Sequence, residues 1–150
     1  MRRLEREQHL PGAPEDVFGF FADALNLERI TPPWLGFRVT TPGTIEMQPG
    51  TLIEYRLRLH RVPVRWLTRI EVWEPPERFV DLQVRGPYRS WHHEHLFTPA
   101  PGGGTLMRDR VDYELPLGPL GDIAHALFVG RDLKRIFDHR AESVARYFTK

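Results

Sequence analysis

The chain has no cysteine. That absence excludes disulfides, thiolate metal sites and thiol nucleophiles. Charge of one sign is also lacking: 21 Lys and Arg against 20 Asp and Glu leave a formal net charge of +1 at pH 7. So small an excess gives no general attraction to nucleic acid or anionic lipid. No apolar run approaches the roughly 20 residues that span a bilayer. The opening Met1-Arg2-Arg3-Leu4-Glu5-Arg6-Glu7 has charges but no apolar stretch behind them, so a signal peptide is not expected. These absences predict a cytoplasmic protein with no nucleic-acid partner, no stable membrane insertion and no cofactor. Asn and Gln are scarce and Arg outnumbers Lys nineteen to two. A GC-rich genome and a thermophilic host both produce that bias.

What the chain does have is punctuation, with 14 Pro and 12 Gly in 150 residues. The length suits a single domain over residues 1–150 with a core of its own. The punctuation stops near the C-terminus. From Leu120 to Phe148 there is no Pro, and Leu120, Ile123, Leu127, Phe128, Leu133, Ile136, Phe137, Ala141, Val144 and Phe148 recur at the spacing of one helical face. Arg131, Lys134, Arg135, Glu142 and Arg146 fall opposite. This spacing predicts one long terminal helix that needs a broad apolar surface to lie against.

Upstream, Arg2–Leu10 reads as a first strand. Pro14, Glu15 and Asp16 open a helix through Val17, Phe18, Phe20, Phe21 and Leu25, because Pro is tolerated and acids are favoured in a first turn. A short turn at Leu27–Ile30 precedes Thr31-Pro32-Pro33. From Phe37 to Leu115 only strands are expected, six in all, with Pro- and Gly-rich turns between them, which makes an antiparallel meander. Ile53, Tyr55, Leu57 and Leu59 alternate with Glu54, Arg56, Arg58 and His60, as in a sheet covered on one side. The class is therefore α+β: a curved seven-stranded antiparallel sheet around a long C-terminal helix, with short helices between strands 1 and 2.

Several stretches resemble a known group. They are Phe79–Tyr88, Trp91–Phe97, Arg108–Pro116, Pro14–Phe18 and Leu27–Pro33, spread over nearly the whole chain. Together they are similar to the START-related SRPBCC superfamily, the polyketide cyclase/dehydrase-like proteins. The resemblance implies a helix-grip fold with a cavity between sheet and helix. It also implies binding of a small hydrophobic molecule such as a lipid, a quinone or a polyketide, with cyclisation as a minority activity. It assigns no catalytic residue here.

Alternation through Ser90–Thr98 places Trp91, His93, His95 and Phe97 on one face, and the next strand brings Asp109 opposite His93 or His95, give or take a pair. Three readings of this cluster stand side by side: a buried hydrogen-bond network, recognition of a ligand's hydroxyl or carbonyl, or acid–base or metal chemistry. The alternative to a binding protein is thus a cyclase or dehydratase acting through His93, His95 and Asp109. The expected ligand-binding set is Trp34, Tyr55, Trp66, Trp91, His93, His95, Asp109, Tyr113, Leu127 and Phe128, with Trp34 as a lid. No metal set is expected. The cavity should measure on the order of 300–1,000 Å³. Asp81 and Gln83 fall on the solvent side by alternation with Val80, Leu82 and Val84, although Phe79 contradicts that assignment. The arginines at 56, 58, 61, 65 and 69 read as a solvated edge, and His125 and His139 as surface residues.

Overall fold

A computed structural model describes residues 1–149. Seven strands form one antiparallel sheet: β1 (Arg2–Leu10), β2 (Arg38–Val39), β3 (Leu52–Leu59), β4 (Val62–Glu74), β5 (Arg78–Arg85), β6 (Ser90–Pro99) and β7 (Thr105–Glu114). Their spatial order is β1-β7-β6-β5-β4-β3-β2. Strands β2 to β7 are a simple meander, and β1 closes it by pairing with β7. Two short helices, α1 (Pro14–Ala22) and α2 (Asn26–Ile30), and a single 3-10 turn at Pro33–Leu35 link β1 to β2. The expected fold class is thereby found, with the short helices where they were expected. No described helix is long and apolar enough to cross a membrane.

The terminal helical run differs from the continuous rod that its spacing predicts. It begins as α3 (Pro119–Ala124), passes through a π-helical turn at His125–Val129, and continues as α4 (Gly130–Phe148). A π turn inserts an extra residue, which rotates everything before it by about 100° relative to everything after. The single apolar stripe therefore splits. Leu133, Phe137 and Val144 are buried against the sheet, whereas Leu120, Ile123, Leu127 and Phe128 are left exposed. The start of α3 is pinned by close approach. A Cβ on buried Gly121 would clash with the Pro116 carbonyl oxygen, so the helix can touch the chain just beyond β7 only with glycine there.

Polar side chains of β1 hold α4 in place. Gln8 Nε2 donates to the Ala141 carbonyl at 2.7 Å, and Arg6 pairs with Asp138 at 2.7 Å. The main core lies beneath α1, where Phe18 meets Phe79 and Phe97 edge to face, Phe21 is tilted on Phe97 and Phe79 stacks on Phe97, with Leu10, Val17 and Val144 around them. A second cluster gathers Trp91, Val111, Tyr113, Leu133 and Phe137. Between these two and the β3–β4 wall of Ile53, Tyr55 and Ile70, the grip of sheet on helix does not close completely.

Candidate functional site

The gap left between α4 and the sheet is a cavity of about 180 Å³. It is smaller than the expected range, because aromatic side chains from β4, β6 and the β5–β6 turn fill much of the concave face. Trp66 packs on Trp91 at 5.2 Å, and Tyr88 on both. The walls are chiefly apolar: Phe21 and Leu27 from the α1–α2 side, Leu57 and Ile70 from the sheet, Leu133 and Phe137 from α4.

One end is polar. Strand alternation puts His93 and His95 on the concave face of β6, where both are 3% exposed, and their rings stack 3.7 Å apart. Register places Asp109 opposite His95 and Asp81 opposite His93. The hydrogen bonds run diagonally: His93 Nε2 to Asp109 Oδ1 at 2.8 Å, and His95 Nε2 to Asp81 Oδ2 at 2.6 Å. His95 Nδ1 lies 3.3 Å from the same Asp109 oxygen but is not aligned for a hydrogen bond, so we treat that approach as electrostatic. Phe79 stacks on the other face of His95 at 3.9 Å.

The protonation states follow from this arrangement. Burial and the neighbouring His95 push the His93 imidazole down to about 4, against the pull of Asp109, so it is neutral at pH 7. Burial also opposes a charge on His95, but two flanking carboxylates outweigh it and raise its pKa. Burial works against the charge on Asp81, yet the His95 hydrogen bond and nearby positive charge hold it below the usual carboxylate range. Burial also works against the charge on Asp109, but the His93 hydrogen bond, the close approach of His95 and the positive charge of Arg140 hold it well below that range. Asp81, His93 and His95 each bring a ligand atom within 4.8 Å of the others, the minimum for holding a cation. Stacked imidazoles, however, direct their in-plane lone pairs side by side rather than to one point, and each Nε2 is already engaged by a carboxylate. The geometry suits a charge-balanced hydrogen-bond network better than a metal centre.

Of the expected ligand-binding residues, Tyr55, Trp66, Trp91, His93 and His95 line the cavity together. Asp109 stands behind the histidines and Tyr113 behind Trp91, so neither reaches the void. Tyr113 instead bonds through its hydroxyl to His125 Nε2 at 2.7 Å, which makes that histidine half-buried rather than a free surface residue. Leu127 and Phe128 do not line the cavity, because the π turn rotates them to solvent at 59% and 55% exposure. Trp34 is not a cavity residue either. It lies on the outside of α4, half-exposed, under the Arg135 guanidinium at 4.8 Å and edge-on to His139. Its neighbours Thr31, Leu35 and Phe37 supply the wall at that end.

Two charged residues of the site do not stand out in the sequence pattern. Asp81 lines the cavity, with Val80 and Leu82 on the outer face paired to Glu94 and His92. Its signal is Phe79, which shares its face. Arg140 is the other, and it also lines the cavity. Its position seven residues after Leu133 and four before Val144 is that of the buried stripe.

Comparison with known proteins matches this architecture over its whole extent. The Zhui aromatase/cyclase from Streptomyces sp. R1128 superposes with a TM-score of 0.78 at 14% identity, covering 99% of this chain and 93% of that one. A START superfamily protein from Mycobacterium smegmatis gives 0.70 at 11% identity, over 98% and 97% of the two chains. A protein from Thermus thermophilus gives 0.70 at 20% identity, over 95% and 97%. Identities this low show the shared fold and nothing finer. No curated protein sequence matches the chain. The family model described as polyketide cyclase / dehydrase and lipid transport matches residues 1–149, and the chain belongs to that family.

Proposed function

We propose that this protein binds a small hydrophobic molecule in the cavity between its sheet and α4. The observation that carries this reading is the cavity itself: a fold that buries Phe18, Phe21, Phe79 and Phe97 in one cluster leaves about 180 Å³ open beside Phe21 and Phe79. Void of that kind forfeits dispersion contacts on every wall and persists only where something offsets the loss. Its size suits a one- or two-ring molecule or a medium acyl chain, which fits a lipid fragment, a quinone head or a polyketide-like compound. Tyr55, Trp66, Trp91, His93 and His95 are the contacts we assign to it, backed by Asp109 and Tyr113. The same reading makes the protein cytoplasmic and independent of metal, cofactor and nucleic acid. Native mass spectrometry of protein incubated with hydrophobic extracts tests it: a retained small-molecule adduct is expected, and bare protein mass throughout would refute it.

One observation favours a second reading. His93 is neutral, aligned by Asp109 and open to the cavity, as a general base must be. The structural neighbour named as an aromatase/cyclase shares the fold. A cyclase or dehydratase acting on a polyketide-like substrate would show turnover whose pH dependence vanishes in His93→Gln. Tight binding with no turnover would leave the binding function alone standing.

A further inference from the structure

Arg140 is a partly buried cation in the cavity wall, set between aromatic rings and the carboxylates of Asp81 and Asp109. Its guanidinium lies 5.3 Å from the Phe21 ring centre and 5.8 Å from that of Phe137, and its side chain lines the cavity. Its Nε and Nη2 are shut off from solvent and have no hydrogen-bond partner. It makes no ion pair among the described residues, because the carboxylates near it are turned to the imidazoles instead: Asp109 to His93 and Asp81 to His95. Buried donors are rarely left unmet, and a guanidinium offers planar N–H groups that need acceptor oxygens. Arg140 thus has the form of a half-made recognition site, and the missing half is an oxygen on whatever fills the cavity.

The charges nearby decide which oxygen. Asp81 and Asp109 place two negative charges at the polar end, and Arg140 supplies one positive charge. A proton on the histidine pair brings that end to balance. A free acid would add an unmatched negative charge beside Asp81, and an ion stripped of water is costly to bury. An amine would meet Arg140 and the protonated imidazole. An uncharged carbonyl oxygen accepts the guanidinium's hydrogen bonds and adds no charge.

We propose that Arg140 anchors the ligand, and that the ligand is an uncharged carbonyl compound whose oxygen accepts from the guanidinium while its apolar body lies against Trp66, Trp91 and Leu57. This rests on the binding function proposed above. It adds a ligand class and a residue that determines it.

The test is an NMR titration with three probes of the same carbon count: propiophenone, propylbenzene and 3-phenylpropionate. Wild type should bind propiophenone about tenfold tighter than propylbenzene, the range of a hydrogen bond to a charged group. It should bind 3-phenylpropionate more weakly than propiophenone. Arg140→Met should bring propiophenone down to the propylbenzene level while propylbenzene changes less than about twofold, since dispersion contacts remain. Arg140→Lys keeps a cationic donor and should retain part of the ketone preference, which guards against a Met variant that folds badly. An undiminished ketone preference in Arg140→Met would overturn the role of Arg140, and tightest binding of 3-phenylpropionate would overturn the uncharged class. If wild type bound none of the three, the cavity-binding function would fall, and this inference with it. Binding of propylbenzene and propiophenone with equal affinity would sink the anchor alone.

Discussion

His93 sits where it can be neither freely charged nor freely removed. Its pKa is held near 4 by burial and by His95, whereas an unfolded histidine titrates near 6.5. The folded pKa is the lower one, so between those values the unfolded chain binds more protons, and stability falls as pH drops from about 6.5 to about 4. The loss amounts to about 3 kcal/mol at most, spread over that window. His95 adds no slope there. Its folded pKa is raised, so its contribution is complete below the unfolded value and declines only as pH climbs through the folded one. Urea titrations at pH 4, 5 and 6.5 should show the drop in wild type and a much flatter profile in His93→Gln, which keeps a donor toward Asp109. An equal slope in both proteins would mean that the histidine is not buried neutral. Asp109 gives the complementary prediction. Replacing it by Ala orphans the His93 Nε2–H and removes one of two anions beside His95, at a cost of about 1–3 kcal/mol in denaturant unfolding. No change in midpoint would deny the network any structural role.

Elements differ in how plainly their sequences announce them. Strand β6 was legible because His93 and His95 alternate between Trp91 and Phe97, and four residues of one face outvote any single side chain. Strand β5 misleads because the protein inverts the usual distribution there. Its outer face carries Val80 and Leu82 beside the Arg78–Glu94 ion pair, and its inner face carries Asp81, which is hydrogen-bonded to His95. Ladder register is also broken between Ile70 and Val72 on the neighbouring strand, where an irregularity shifts the pairing partners, and no periodicity marks it. The terminal helix hides its π turn for a related reason: apolar residues at 120, 123, 127 and 128 keep helical spacing, and only packing reveals that this spacing is out of phase with the rest. At the same scale, β2, β3 and β4 align Arg38, Arg56 and Arg65 directly across the sheet's outer face, all without ion pairs among the described residues. Like charges placed opposite each other destabilise a sheet. Arg56→Thr should therefore stabilise the protein by a few tenths of a kcal/mol at low salt, with the gain shrinking as ionic strength screens the row. A gain that persists undiminished in 1 M salt would point to strand propensity rather than repulsion.

At the scale of the whole molecule, the tightest packing and the cavity lie toward different ends of one grip, joined through Phe21 and Phe79. Phe97 is 1% exposed and touches Phe18, Phe21 and Phe79 in the packed end beneath α1. Phe137 is nearly as buried, but one side of it faces the cavity. Truncation of a core aromatic costs its transfer energy plus a cavity that the surroundings cannot collapse into, about 3–5 kcal/mol. Phe97→Ala should lie in that range. For Phe137→Ala the void already exists, fewer contacts are lost, and the cost should fall at or below the lower end. The functional consequence has the opposite order. Phe137→Ala enlarges the space next to Arg140 and should admit bulkier ligands, whereas Phe97→Ala should leave the preference among ligands unchanged while lowering the unfolding midpoint. Measuring both variants by denaturant unfolding and by titration with a graded series of alkyl phenyl ketones separates the two ends. Equal destabilisation with equal shifts in ligand size would mean that cavity and core are one continuous, mutually adjusting interior, and the division of labour would fail.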